Sequence, residues 1–235
     1  MNYAPFLWTL KLGALLNLYF LWNTPLDGDP YIVVPAWILF AVSAYRCLFP
    51  VRYDNAVVFH DSVFSSIRFT RALATFSEVA YIFQFAYVLR VLDGGQSDLV
   101  SVLSWLMVIQ VIVSQFLVWG AIATGRLALY FYEELGWAVI FAANTIATIV
   151  LMLRAVDHLL LVFNLVFGLL YLPWQAMHLR MLRANADATV VVGTTTKQRR
   201  TDAQAWGGVV GLSWMLGYWA ILIPPWVYAV VLYLK

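Results

Sequence analysis

Charge is scarce in this chain. Of its 235 residues only 11% are Asp, Glu, Lys or Arg, while 63% are hydrophobic and the mean hydropathy is +0.82. Soluble domains carry roughly 25% charged and 45–50% apolar residues, so a water-facing surface cannot be assembled from this composition. Cysteine occurs once, at Cys47, which excludes an internal disulfide, a CxxC pair and a thiolate metal cage. Histidine occurs three times, at positions 60, 158 and 178, too few for the histidine boxes of a membrane di-iron centre. His158 and His178 sit at opposite ends of one apolar run and cannot clamp a haem between them. No HExxH or ExxH spacing occurs, and no Asn-x-Ser/Thr acceptor. The segment Val192-Gly193-Thr194-Thr195-Thr196-Lys197 lacks the first glycine of a phosphate loop and the glycine before its lysine. No lysine lies in Trp206–Leu234 to hold retinal as a Schiff base in the last span. No metal or cofactor is expected. The net charge of +2 is spread over several loops, which argues against nucleic acid as a partner.

Long apolar runs are what the chain has in abundance. A membrane span takes about 20 apolar residues. Seven runs of that order occur, over 3–22, 31–48, 72–89, 99–124, 127–153, 159–179 and 205–234. The expected fold is an all-α integral membrane protein: one transmembrane domain over 1–235, a bundle of about seven helices with the lipid bilayer as solvent. The aromatic residues (Trp 11, Tyr 13, Phe 15) suit interfacial belts. The N-terminus has no basic region or small-residue cleavage site, so the first run is expected to be kept as a span. Gly207, Gly211 and Gly217 suggest a close-packing stripe on the last helix, and Pro224–Pro225 a kink in it.

Lys and Arg placement gives the orientation. With the N-terminus cytoplasmic, Arg46, Arg52, Arg68, Arg71, Arg126, Arg180, Arg183, Lys197, Arg199 and Arg200 all fall on the cytoplasmic side. Only Arg90, Arg154 and Lys235 fall opposite. The C-terminus is then external.

Ionisable groups within spans are costly and mark functional positions. Lys11, Glu78, Glu133 and Glu134 are such groups, each placed roughly 10–12 Å below the cytoplasmic interface at 1.5 Å rise per residue. Arg71 to Glu78 and Arg126 to Glu133 share the pattern Arg-x4-Phe-x-Glu, which puts Arg and Glu on one helical face and raises the idea of a duplicated unit. Oppositely running helices bring Gln175 and His178 to the same half of the bilayer. The expectation is a polar pocket lined by Lys11, Glu78, Glu133, Glu134, Gln175 and His178. In the loop before the third span, Asp61 or Ser62 can cap a short interfacial helix, with His60 and Asp61 at the pocket mouth.

Glu78 and Glu133 are the candidate acids, with Glu134, His178 or Tyr81 as partner or base. Trp137, Asn144, Arg71 and Arg126 join Tyr81, Gln175 and Lys11 as candidate substrate contacts. In overall plan the chain resembles the small seven-helix terpene cyclases, which use intramembrane carboxyl groups as acids, though it carries none of their sequence signatures. The leading expectation is an enzyme acting on a lipid or isoprenoid substrate by acid–base chemistry. A proton-coupled transporter or channel is the second. A structural or assembly subunit, with homo-oligomer or membrane-complex partners, is the third.

Overall fold

The structure is a computed structural model that describes residues 2–53, 56–184 and 197–234. Seven helices or helix pairs are long and apolar enough to cross a membrane. They run as α1 (Ala4–Asn23), α2 (Pro30–Leu48), α3 (Ile67–Asp93), α4 (Asp98–Thr124), α5 (Leu127–Leu153) and α6 (Leu159–Ala184). The seventh consists of α7 (Gly208–Leu216), a π-helical turn (Gly217–Ile221) and α8 (Ile223–Tyr233). The 27-residue fifth run is one unbroken helix. The run at Thr194–Thr196, Gly193 and Lys235 lie outside the described residues.

Two helices exceed their apolar runs. α3 begins at Ile67 rather than position 72, and α6 continues to Ala184 rather than 179. The added turns carry Arg68 and Arg71, and Arg180 and Arg183. Hydropathy stops at such residues, while the backbone hydrogen-bond ladder continues through good helix formers.

The chain divides into two compact units: Met1–Ala80 with Thr194–Lys235, and Tyr81–Gly193. In the first, α1 packs on α2, and both meet the π turn and α8. A π turn widens the ladder and frees carbonyls. Here the Trp219 carbonyl accepts from Asn17 Nδ2 at 2.8 Å and lies 3.5 Å from Cys47 Sγ. Gly13 allows the approach, since a Cβ there would stand 2.9 Å from Ala220 Cβ. The expected kink appears at Leu222, two residues before Pro224, and α8 starts with Pro in its first turn. The expected glycine stripe does not form inside the last helix. Gly207 precedes α7 with φ +77°, against the Arg52 guanidinium, and this left-handed backbone is why a glycine stands there.

A small three-stranded sheet joins the loop after α2 to the segment before α7. β1 (Val51–Arg52) pairs antiparallel with β2 (Val57–Val58), which pairs in parallel with β3 (Gln198–Arg199). The short helix expected after Ser62 is present as a 3-10 turn, Val63–Ser65, but the Ser62 side chain makes no capping bond to it.

In the second unit α4, α5 and α6 pack as antiparallel neighbours. Gly125 closes α4 at φ +70° and lets α5 begin two residues later. The close-packing glycines are Gly136, against Gln110 and Ser114, and Gly168, against Thr145. At the other end Arg154 bonds Asp93 at 3.2 Å and Gln96 at 3.0 Å. Many apolar side chains on α1, α4 and α6 point outward, among them Leu12, Leu15, Phe116 and Leu170. Lipid is the solvent that tolerates such a surface.

Candidate functional site

The sequence-predicted residues fall into both units, and each group is built separately. In the first unit Arg71 and Glu78 lie two turns apart on α3, and Arg71 donates to the Glu78 carboxylate, as their shared face predicts. Arg46, from the last turn of α2, approaches the other carboxylate oxygen at 3.9 Å. All three side chains are buried, with Arg46 only 5% and Arg71 3% exposed. Arg46 also stacks over Trp219 at 4.5 Å and Tyr218 at 5.3 Å. The Glu78 carboxylate thus faces two guanidiniums. Aromatic faces compensate part of the lost hydration.

Lys11 does not join Glu78. Its Nζ donates to the Leu48 carbonyl at 2.9 Å, at the end of α2, and lies over Trp8 at 5.1 Å. A four-carbon stem carries the ammonium away from the level of its Cα, and a helix C-terminus supplies bare carbonyls to receive it.

In the second unit Glu134, Gln175 and His178 converge. Gln175 Nε2 donates to the Glu134 carboxylate and to the Glu134 carbonyl, both at 2.7 Å. The other carboxylate oxygen lies 3.8 Å from His178 Nε2. Gln175 is fully buried, whereas the Glu134 and His178 side chains are 17% and 22% exposed. His178 Nδ1 has no hydrogen-bond partner among the described residues. An amide thus fixes a carboxylate beside an imidazole that is still reachable from outside.

No family model, no curated protein and no solved structure matches this chain.

Aromatic rings lead away from the imidazole. Trp174 stacks on His178 at 5.3 Å, Tyr171 meets Trp174 at 5.8 Å and Phe141 meets Tyr171 at 4.5 Å. Phe141 adjoins Trp137 at 6.3 Å, and Trp137 lies parallel to Tyr81 at 6.0 Å. Tyr81 and Trp137 therefore belong to one aromatic series with the dyad.

Glu133 is buried on the neighbouring face of α5, and its carbonyl lies 3.5 Å from Ser114 Oγ. Arg126 is the exposed N-cap residue of α5 and makes no ion pair among the described residues. The Arg71–Glu78 arrangement is consequently not repeated there. The reason is local: Arg126 precedes the first helical turn, so no helix holds it on the Glu133 face.

Asn144 is fully buried, and neither of its amide atoms has a hydrogen-bond partner among the described residues. Thr148 and Asn164 share that condition. The α5–α6 register set by Phe141–Tyr171 and Thr145–Gly168 puts all three on the facing surfaces of these helices. Thr148, Asn164, Trp174 and the Trp219 partner of Arg46 were missed by sequence reasoning. An uncharged polar or aromatic residue in an apolar run gives no signal until its neighbours are known.

Proposed function

We propose that this protein is a multi-pass membrane enzyme that acts on a lipid or isoprenoid substrate by acid–base chemistry centred on Glu134 and His178. The observation that carries this reading is the Gln175-oriented Glu134 carboxylate beside an accessible imidazole. Orienting one carboxylate oxygen leaves the other to hold an imidazole proton, so the pair can give or take a proton at a substrate atom. His178 Nδ1, buried and without a hydrogen-bond partner among the described residues, is the ring nitrogen left for that atom. The aromatic series beside it is suited to stabilise positive charge developing on a hydrocarbon skeleton. Among the intramembrane carboxylates Glu134 fits the acid–base role better than Glu78, because Glu78 is held by two arginines.

The same reading has the N-terminus cytoplasmic, seven spans and an external C-terminus. Supporting it, Tyr3 N donates to the Thr201 carbonyl at 2.6 Å and Asn2 forms a bridge with Asp202. The chain start and the segment before the last span thus share a side. Six crossings between them, counted along the sequence, agree with that reading, as does the arginine-rich start of α3 after two of them.

The test is conversion of lipid and isoprenoid extracts by the purified protein in nanodiscs, followed by mass spectrometry. Glu134→Gln and His178→Gln should each reduce turnover by about 10²-fold or more, and Gln175→Leu by less. Wild-type turnover in Glu134→Gln would remove the dyad from the mechanism. Proton-driven solute flux in liposomes without any product would favour transport. Absence of both, with stoichiometric copurifying partners, would favour an assembly role.

A further inference from the structure

The first unit contains a cavity of about 580 Å³ lined by Phe49, His60, Asp61, Ser62, Phe64 and Arg199. The small sheet builds it. Pairing of β3 with β2, through Gln198 N to the Ala56 carbonyl at 3.0 Å and Arg200 N to the Val58 carbonyl at 3.3 Å, brings Arg199 beside the loop that carries His60. Lys197 donates to the Ser62 carbonyl at 2.9 Å and lies 3.5 Å from Asp61, so the carboxylate that lines the cavity among the described residues already has a counter-charge. That leaves the Arg199 guanidinium as the excess charge. His60 packs against Phe59 at 4.5 Å and Trp8 at 5.6 Å, and its buried Nε2 has no hydrogen-bond partner among the described residues.

The cavity lies where α2 ends and α3 is about to begin, at the level of a membrane surface if those helices span. Apolar side chains stand outward beside it, Val63 at 81% and Phe64 at 55% exposure. A guanidinium fork and an imidazole nitrogen match phosphate oxygens, while exposed Val and Phe suit the acyl boundary. The volume falls within the roughly 300–1,000 Å³ of ordinary ligand sites. We propose that this cavity binds the phosphate headgroup of an anionic membrane lipid, with Arg199 and His60 Nε2 on the phosphate and Phe49 and Phe64 against the start of the chains. Burial, Lys11 and Arg199 hold the His60 imidazole below the ordinary histidine range. A bound anion would offset the two cations and strengthen its own hydrogen bond. The site stands on the first unit alone and does not rest on the Glu134–His178 reading.

The experiment titrates the full chain in detergent with dioctanoyl phosphatidic acid, dioctanoyl phosphatidylcholine and inorganic phosphate. Phosphatidic acid should bind at least about five-fold more tightly than the zwitterionic lipid, the scale of one basic residue at a surface. Arg199→Gln should weaken it about five-fold, His60→Leu should weaken it too, and Arg180→Gln, an exposed arginine at the end of α6, should not. Retained thiol protection of Cys47 reports that each variant is folded. Equal affinity for both lipids, wild-type affinity in Arg199→Gln, or full displacement by millimolar inorganic phosphate would each overturn the proposal, the last because the ligand would be free phosphate.

Discussion

Glu78→Gln is the perturbation with the largest expected effect on stability. In the wild type one carboxylate answers two guanidiniums that are almost wholly removed from solvent. The amide keeps the shape and can accept one hydrogen bond, yet it removes the negative charge that Arg46 and Arg71 both face. Breaking a buried pair by removing one partner costs about 3–5 kcal/mol. At about 2–4 °C per kcal/mol for a chain of this size, the apparent Tm should fall by roughly 6–20 °C. Cys47 is the single thiol and is fully buried, so a thiol-reactive dye reads unfolding directly. Replacing all three charges, as in Arg46→Met/Arg71→Met/Glu78→Leu, should recover a large part of the loss, because no lone charge then stays buried. A Tm within 2 °C of wild type in Glu78→Gln would refute the reasoning. So would a triple variant less stable than the single one.

Gly168→Val should destabilise the second unit by about 1–3 kcal/mol, because its side chain overlaps Thr145, and Thr145→Ala in the same background should relieve part of that; thermal unfolding of the four combinations gives the coupling. Asn17→Ala leaves the Trp219 carbonyl without its 2.8 Å donor and should cost about 1–3 kcal/mol, read as faster Cys47 labelling. His60 gives a pH signature. Its folded-state pKa is lowered by burial first and by Lys11 and Arg199 next, so the unfolded chain binds the proton more readily. Stability is therefore full above the ordinary histidine pKa of about 6.5 and falls as pH drops toward the lowered value. Thermal scans between pH 7.5 and 5 in lipid-free detergent should show this slope, reduced in His60→Leu; an identical slope in the variant would assign it to other groups.

Hydropathy located the spans because a bilayer demands some 20 apolar residues whatever the packing. It misplaced the start of α3 and the end of α6, since a helix can continue through arginines that the hydropathy window rejects. Arg71 with Glu78 was legible because seven residues is nearly two turns, and one helix alone dictates that neighbourhood. Lys11 was not, because the reach of a long side chain is decided by an acceptor on another helix, here the Leu48 carbonyl. Close-packing glycines followed the same rule. A GxxxG spacing drew attention to Gly207 and Gly211, whereas Gly13, Gly136 and Gly168 are isolated in sequence and acquire meaning only from Ala220, Ser114 and Thr145 opposite them. The Glu134–Gln175–His178 grouping was half visible: periodicity gave the depth, and only the α5–α6 register could choose Glu134 over Glu133 as the partner.

The wide turn at Gly217–Ile221 amounts to one residue more than a regular helix would use. Each residue advances an α-helix by about 100°, so this turn sets the rotational phase of everything after it. Val227, Val230 and Val231 face inward on α8 because of that phase. Deleting Ala220 would put Pro224, which has no N–H, four residues after Trp219, so the Trp219 carbonyl would still need its donor on α1. The deletion would also swing the inward valine stripe by over a quarter of a revolution, offering it to the acyl chains and turning other side chains against α2. Removal of one small residue would thereby unseat the whole final segment.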